Sequence, residues 1–509
     1  MKKRAIIYLL ILVMFVVICS FGYINTRDKD SNDDLYTKID KYVAEEMHAG
    51  NIPGMSIVII QNNKITYQKG YGYADISKKT PVTADTSFEI ASCSKGFTGL
   101  AVLKLQEEGL LNIQDPLSKY FQGFYATYKG KKYDIKLSQL LHHTSGIPWS
   151  AITDIPVSND DNAVIDLAEK EVGIKLTHKP GEQFEYATIN YALLGAVIQK
   201  VSGQLYEDYM QKTVFDPLGL EHTTLYPEKA KDTLATGYKN GFFRPIVYQA
   251  PIFRANRAAG YIIMDSNDVG KWLMYQMGNL NTPLAPLIEE THKGDRTVAP
   301  SLFDQSSYAI GWAEYQSGTG EVSKSGLNPN YSSYMAFRGE DGLAVGILAN
   351  NGTNYTFICG HGILDMLRGH KKTSPYETDR KIDNICSVVV ICMVIYIIAM
   401  LIFSGRILVG IAKKERHYRK IGKKKGKWVA VCISFLPFAY GIYLLPYALQ
   451  QVSWETAIVW YPFSFHAMLY AGIVSIVATI IAMILGVLFS KEDDVLDKVP
   501  LLAILSVVR

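Results

Sequence analysis

Ser92 and Lys95 stand three residues apart in Phe88-Glu89-Ile90-Ala91-Ser92-Cys93-Ser94-Lys95-Gly96-Phe97-Thr98-Gly99-Leu100. On a helix that spacing sets a hydroxyl and an amine side by side. The residues that follow are apolar almost all round, which predicts a helix inside a core rather than on its surface. Burial favours the neutral amine, and a neutral amine can take the serine proton, leaving an oxygen able to attack an acyl group. Ser-x-x-Lys arises by chance on the order of once or twice in a chain of this length, so it needs company. Tyr186, in Pro180-Gly181-Glu182-Gln183-Phe184-Glu185-Tyr186, falls in a loop just before a predicted helix. A lone loop tyrosine is usually a packing residue. With Lys95 nearby, its phenol would titrate lower and shuttle a proton. Lys324-Ser325-Gly326 ends a predicted strand and is the third member of this ordered trio. Paired His142 and His143 precede Thr144-Ser145-Gly146-Ile147-Pro148, which reads as a turn. A structural role is favoured for them over a base or a metal site, because no carboxylate or third ligand sits at useful spacing.

The elements that must position these groups are legible in part. Leu35, Ile39, Val43 and Met47 recur at fours, predicting an amphipathic helix that ends near Gly50. Runs 55–61 and 64–68 flank Asn62-Asn63 as a β-hairpin. A helix with apolar face Tyr191, Leu194, Val197, Ile198 and Val201 closes at Gly203. After a polar stretch with a candidate lid (226–257) comes a short helix around 269–277. Runs 321–326, 331–338 and 342–348, separated by Asn328-Pro329-Asn330 and Gly339-Glu340-Asp341 turns, predict an antiparallel sheet. Residues 355–368 read as a closing helix, and 369–384 as a linker.

The formal charge of +4 over 509 residues is uneven. Residues 413–427 hold nine Lys or Arg and one Glu, so the remainder carries −4, which argues against a nucleic-acid surface. Met1-Lys2-Lys3-Arg4 precedes an apolar run to about Phe21, so residues 1–24 read as a cleaved export signal or a signal anchor. Runs of about 385–403, 428–449 and 467–489 are long enough to span a bilayer. The basic stretch between the first two then lies inside by the positive-inside bias. This predicts an extracytoplasmic domain over 25–368, a three-helix membrane domain over 385–490 and a cytoplasmic tail over 491–509, in the plasma membrane. Cys93 and Cys359 are the cysteines of the exported part, and no disulfide framework or metal-type Cys/His spacing is present.

The ordered Ser-x-x-Lys, Tyr and Lys-Ser-Gly motifs belong to the repertoire of β-lactamases and penicillin-binding proteins. Phe-Glu-Ile-Ala-Ser-Cys-Ser-Lys, His-Thr-Ser-Gly-Ile-Pro and Asn-Tyr-Ala-Leu-Leu-Gly resemble the class C β-lactamase-like serine hydrolases over roughly residues 33–368. The resemblance implies an α/β fold of the serine β-lactamase/transpeptidase kind: a five-stranded antiparallel sheet flanked by helices, plus a helical lobe. The second motif departs from the family's usual Tyr-Ser-Asn or Tyr-Ala-Asn, reading Tyr186-Ala187-Thr188. With Gly326-Leu327-Asn328-Pro329-Asn330-Tyr331-Ser332-Ser333 and the membrane layout, it resembles the membrane-bound D-asparaginyl peptidases that mature colibactin-, zwittermicin- and xenocoumacin-type prodrugs.

That resemblance implies removal of an N-acyl-D-asparagine group from an exported nonribosomal peptide or polyketide, without metal or organic cofactor. Ser92 would be the nucleophile, with Lys95 and Tyr186 passing its proton and Lys324 keeping their pKa values low. The backbone N–H groups of Ser92 and Leu327 would form the oxyanion hole. Thr188, Asn256 and Asn328 would meet the substrate side chain beside Ser325 and Gly326. Partners implied are the acyl-peptide substrate, membrane lipid and an exporter of the prodrug, with no nucleic acid. Rival readings are a D-Ala-D-Ala carboxypeptidase or β-lactamase, a general esterase, and a receptor signalling through acylated Ser92.

Overall fold

In the computed structural model the described residues are 34–302, 305–316, 320–370, 379–418, 440–441, 443–444, 446–448 and 451–490. They fall in two compact units. The larger comprises residues 39–390 and 440–469. Its centre is one antiparallel sheet built from β1 (Gly54–Gln61), β2 (Lys64–Asp75), β3 (Thr80–Pro81), β4 (Ser306–Tyr308), β5 (Ala313–Tyr315), β6 (Val322–Leu327), β7 (Ser332–Arg338) and β8 (Leu343–Ala349). The spatial order is β4-β5-β6-β7-β8-β1-β2-β3. The expected five strands are the long ones, β6, β7, β8, β1 and β2. Three short strands of two or three residues extend the two edges, a length at which sequence alternation carries no signal.

The hairpin β1–β2 turns where expected. Asn62 and Asn63 both take positive φ, 51° and 62°, the conformation a two-residue type I′ turn needs and Asn tolerates. The first and last of these strands in chain order pair directly, β1 with β8 from Met55–Ala349 to Ile60–Ala344. Tyr334 of β7 is opposite Ile347 of β8, and Met335 is opposite Gly346. Alternate residues of a strand point to opposite faces. On the Tyr334 face lies α5 (Tyr355–Leu367), whose Gly360 leaves room for the Tyr334 ring. On the Gly346 face lies α4 (Ser266–Gln276), whose Val269 and Leu273 fill the space above that glycine. Helix α1 (Leu35–Gly50) joins α5, with the Tyr42 hydroxyl donating to the Ile358 carbonyl. The result is a sheet between two helical layers.

Helix α2 (Ser94–Glu107) has eleven of its fourteen residues buried, as its all-round apolarity predicts. Phe97 stacks on Trp272 of α4 with ring centroids 3.8 Å apart. Helix α3 (Ile189–Ser202) ends on Gly203 at φ 67°, a left-handed cap. Residues 226–257 are the candidate lid. They contain a hairpin, Tyr238–Gly241 with Arg244–Val247, whose first strand is wholly buried.

The segment read as linker is helical from Asp379, where α6 (Asp379–Ala412) begins. Asp383 on it is fully buried. It accepts from the Phe242 and Phe243 N–H groups at 3.1 and 2.9 Å and from the Ser464 hydroxyl at 2.5 Å. Between them in the chain, α7 (Trp454–Trp460) precedes α8 (Phe463–Leu488). Lys239 of the hairpin is buried and donates to the Ile458 and Val459 carbonyls, at 2.9 and 2.7 Å, at the end of α7. Burial, with carbonyls and no carboxylate beside it, pushes that amine down to about 7.

The smaller unit comprises residues 1–38, 391–439 and 470–509. Its described part holds the remainder of α6 and α8, joined by a hydrogen bond of 2.8 Å between the Tyr396 and Thr479 hydroxyls. Among the described residues two helices are long and apolar enough to cross a membrane, Lys381–Ala412 and Phe463–Leu488. The first contains the first expected span, 385–403, and the second contains all but the last residue of the third, 467–489. The second expected span, 428–449, lies largely outside the described residues, as do the signal 1–24, much of the basic stretch and the tail 491–509.

Candidate active site

Ser92 lies in a single 3₁₀ turn, Ala91–Cys93, that leads into α2. Ala91 takes φ 45°, a conformation that costs an alanine on the order of 1–3 kcal/mol and is kept where surrounding structure enforces it. The enforcing contacts are visible. The Ile90 N–H donates to the Ile262 carbonyl at 2.8 Å, and the Ser333 hydroxyl of β7 donates to the Ile90 carbonyl at 2.6 Å. The Cys93 thiol donates to the Lys324 carbonyl of β6 at 3.2 Å. A methyl on Gly326 would sit 2.5 Å from the Ile90 carbonyl oxygen, so only glycine lets β6 lie this close to the serine turn. Leu327, whose N–H was expected to complete the oxyanion hole, is the next residue of that strand and pairs with Ser332.

Lys95 is fully buried one helical turn after Ser92. Its Nζ donates to Ser92 Oγ at 3.1 Å, to Thr188 Oγ1 at 3.3 Å and to the Ala259 carbonyl at 2.7 Å. Burial lowers its pKa; the Tyr186 phenol opposes that and the Lys324 charge reinforces it. Tyr186 donates to Ser92 Oγ at 3.1 Å. Burial pushes this phenol up, but the Lys324 and Lys95 charges and the Ser92 bond outweigh it and bring it down to about 7. Lys324 Nζ lies 4.8 Å from the centre of the Tyr186 ring and 5.8 Å from that of Tyr308. The four groups therefore converge, although ninety-one residues separate Lys95 from Tyr186 and 138 separate Tyr186 from Lys324. A hydroxyl flanked by an amine and a phenol that both titrate low can lose its proton at neutral pH, which is the requirement for attack on an acyl carbon.

The residues expected to meet a substrate side chain are distributed differently. Thr188, at the start of α3, is buried and accepts from Lys95, so it takes part in holding the amine. Asn328 is buried, and its Nδ2 donates to Glu89 Oε2 at 2.6 Å and to the Gly260 carbonyl at 2.8 Å. Both amide hydrogens are thereby spent inside the protein, and only Oδ1 is left for a ligand. Ser325 is exposed on the face of β6 opposite Lys324 and Gly326. Asn256 is buried on the turn Arg254–Asn256, and its Oδ1 has no hydrogen-bond partner. It stands beside the site rather than in its hydrogen-bond network.

One group escaped the sequence reading, and a second, His143, was read there only as structural. Glu89, three residues before Ser92, is held by Asn328, and burial pushes its carboxyl up to about 7 despite that bond. A charged residue inside Phe88–Glu89, a run otherwise suited to a buried strand, was the available signal. His143 is fully buried, and Nδ1 accepts from the Ala187 N–H at 3.2 Å and the Asn190 amide at 2.9 Å. Its ring centroid is 4.3 Å from that of Tyr186. Burial, with Lys95 and Lys324 adding to it, holds this imidazole neutral well below its usual range. His142 instead binds the Tyr308 carbonyl at 3.0 Å. Cys93 and Cys359 are both buried free thiols, unpaired with one another.

A serine presented on a strained turn between a helix and an antiparallel sheet, with a buried amine as neighbour, is the architecture of the penicillin-recognising serine hydrolases. The chain belongs to one family of that class: the profile described as Beta-lactamase matches residues 39–362. Over 467 residues it is 31% identical to "Protein flp" of Staphylococcus aureus strain N315, an alignment covering 89% of this chain and 91% of that protein. It is 29% identical over 248 residues to a protein of Escherichia coli O157:H7 described as "Putative D-alanyl-D-alanine carboxypeptidase", covering 44% of this chain and 56% of the relative. Among solved structures, the octameric penicillin-binding protein homologue from Pyrococcus abyssi matches with a TM-score of 0.60 at 26% identity, over 68% of this chain and 81% of that one.

Proposed function

We propose that the chain is a membrane-bound serine peptidase that cleaves after N-acylated D-asparagine in an exported precursor, through a Ser92 acyl-enzyme. Ser92 Oγ attacks the D-Asn carbonyl carbon while its proton passes to Lys95 or Tyr186. The C–N bond then breaks, and the same proton goes to the leaving amine. Water, deprotonated by the same pair, releases N-acyl-D-asparagine and restores Ser92. Lys324 keeps the Tyr186 phenol acidic, and the Ser92 and Leu327 N–H groups receive the oxyanion.

The observation that carries the choice of substrate is the Asn328 amide. Two fixed acceptors take its N–H groups, so its Oδ1 presents one acceptor of fixed orientation. A carboxamide N–H satisfies that acceptor, and the Thr188 hydroxyl, which accepts from Lys95, still has its own proton for the carboxamide oxygen. A site built this way rejects a D-Ala side chain by leaving polar groups unpaired.

The test is hydrolysis by full-length protein in membranes of amides formed at the α-carboxyl of N-octanoyl-D-Asn and of N-octanoyl-L-Asn, and of an N-acyl-D-Ala-D-Ala peptide. Selective cleavage of the D-Asn amide is expected. Equal cleavage of D- and L-Asn would sink the stereochemical claim. Release of D-Ala without cleavage of the D-Asn amide would establish the carboxypeptidase reading that the Escherichia coli relative's description favours.

A further inference from the structure

The hairpin of Tyr238–Gly241 with Arg244–Val247 turns on a pair of residues poorly suited to it. Phe242 and Phe243 both take positive φ, 54° and 64°. Asn and Gly are at ease in such a turn, whereas a bulky side chain there crowds its own backbone. Neither ring is hidden: Phe242 is 38% exposed and Phe243 42%, and Val247 on the second strand is 59% exposed. Strain of this kind gathers at functional positions and persists where surrounding contacts enforce it.

The enforcing contacts tie the tip to the two long apolar helices. Asp383, near the start of α6, accepts from both turn N–H groups and from the Ser464 hydroxyl at the start of α8. A methyl on Gly241 would lie 2.7 Å from Phe463 Cβ, so the strand leading into the tip runs directly along the first residue of α8. The Tyr248 ring meets the Phe463 ring edge-on, with centroids 5.6 Å apart. On α6, Ile385 is the residue two places after Asp383, a rise of about 3 Å, and its side chain is apolar and exposed. The tip therefore stands within one helical turn of the point where the outer face of α6 becomes apolar. Arg244, exposed next to the tip, is a cation of the kind that meets lipid phosphates.

We infer that Phe242 and Phe243 form a finger that enters the interfacial layer of the bilayer beside α6 and α8 and seats the hydrolase domain against it. The partner is the boundary between headgroups and acyl chains, where aromatic rings on an amphipathic surface settle. That setting accounts for the exposure, because ring surface left in water by the fold is removed from it by lipid. It also accounts for the clamp, because a buried aspartate holding both turn N–H groups fixes the direction in which the tip leaves the helices. The inference rests on the reading of α6 and α8 as membrane spans and is independent of the substrate.

The test is tryptophan fluorescence of full-length Phe242→Trp and Phe243→Trp proteins in phosphatidylcholine vesicles, with unmodified protein as the background from the native tryptophans. The acyl chains carry bromine near their carboxyl end, near their methyl end, or not at all. Emission added at the tip should be lost mainly to the shallow bromines. Val394→Trp, eleven residues past Asp383 on α6, should lose its emission mainly to the deep ones. Lys64→Trp should lose none: it is exposed at the end of β1 remote from Gly54, and it is the Gly54 end that shares Asn350 with the hairpin. Unquenched tip emission beside quenched Val394→Trp would overturn the finger and leave the spans standing. A blue shift at the tip without quenching would overturn it too, by assigning the surface to a protein neighbour. Quenching at neither place would remove spans and finger together. Phe242→Asn combined with Phe243→Gly, the pair this turn prefers, should melt no earlier than unmodified protein in detergent. An earlier melt would show that the rings serve packing within the fold, against the inference.

Discussion

At the scale of single residues the chemistry turns on two depressed pKa values. Tyr186 ionises at about 7 because two lysine charges outweigh its burial. Acylation of Ser92 should rise as pH climbs through about 7 and then level, read as kcat/KM for a p-nitrophenyl ester against pH. Lys324→Met removes a positive charge that lowers the phenol, so the rising limb should move to higher pH. An unmoved limb would mean that Tyr186 is not the titrating group. Ser92→Ala should lose at least about a thousandfold in kcat with unchanged folding. His143 is a positioning residue: its neutral Nδ1 holds the Ala187 N–H, and its ring backs the Tyr186 ring. His143→Leu should lower kcat by about ten- to a hundredfold, leave KM nearly unchanged and shift the rising limb. A purely structural histidine would lower thermal stability without moving the limb. In the sequence His143 was visible only as part of a turn, since its partners Ala187 and Asn190 lie more than forty residues away.

At the scale of elements, the close approach of β6 to the serine turn decides whether the site exists. Gly326→Ala puts a methyl 2.5 Å from the Ile90 oxygen and 3.0 Å from Ala91 Cβ, with backbone on one side unable to yield. The strand must move away, costing about 1–3 kcal/mol in stability. The expected readout is at least a tenfold loss of kcat/KM with a lowered melting temperature; normal activity would show that the strand's position is slack. The hairpin 238–247 offers a second test. Phe242 and Phe243 both take positive φ, 54° and 64°, and their N–H groups end on Asp383. Asp383→Ala leaves the part-buried Phe242 and Phe243 N–H groups without their acceptor, at about 1 kcal/mol for each, while the Ser464 hydroxyl keeps the Asp383 carbonyl at 3.3 Å. Hydrogen exchange at Phe242 and Phe243 should accelerate at least tenfold, while exchange in the sheet strands stays slow.

At the scale of the whole molecule, Lys381–Ala412 and Phe463–Leu488 are apolar over lengths that span a bilayer. Alkaline carbonate washing should leave the full chain in the membrane pellet, and only detergent should release it. Release by carbonate would reduce these helices to packing elements. Alignment over 89% of the chain with the Staphylococcus aureus relative reaches beyond the 39–362 family match, so both proteins share sequence outside the hydrolase domain.

Local chemistry sufficed for part of this. The Asn62-Asn63 turn, the all-round apolarity of α2, the Gly203 cap and the two long apolar helices follow from conformational preference and periodicity within a few residues. The contact of Ser92 with Lys95 was readable for the same reason, because one helical turn joins them. Tertiary structure alone decided the rest. Glu89 and Asn328 are 239 residues apart, and only the fold brings carboxyl and amide to 2.6 Å. Asp383, in a stretch composed like a linker, became a buried anchor because two backbone N–H groups from a distant hairpin needed an acceptor. A hydrogen bond's worth depends on which groups burial deprives of water, and burial is a property of the whole chain folded together.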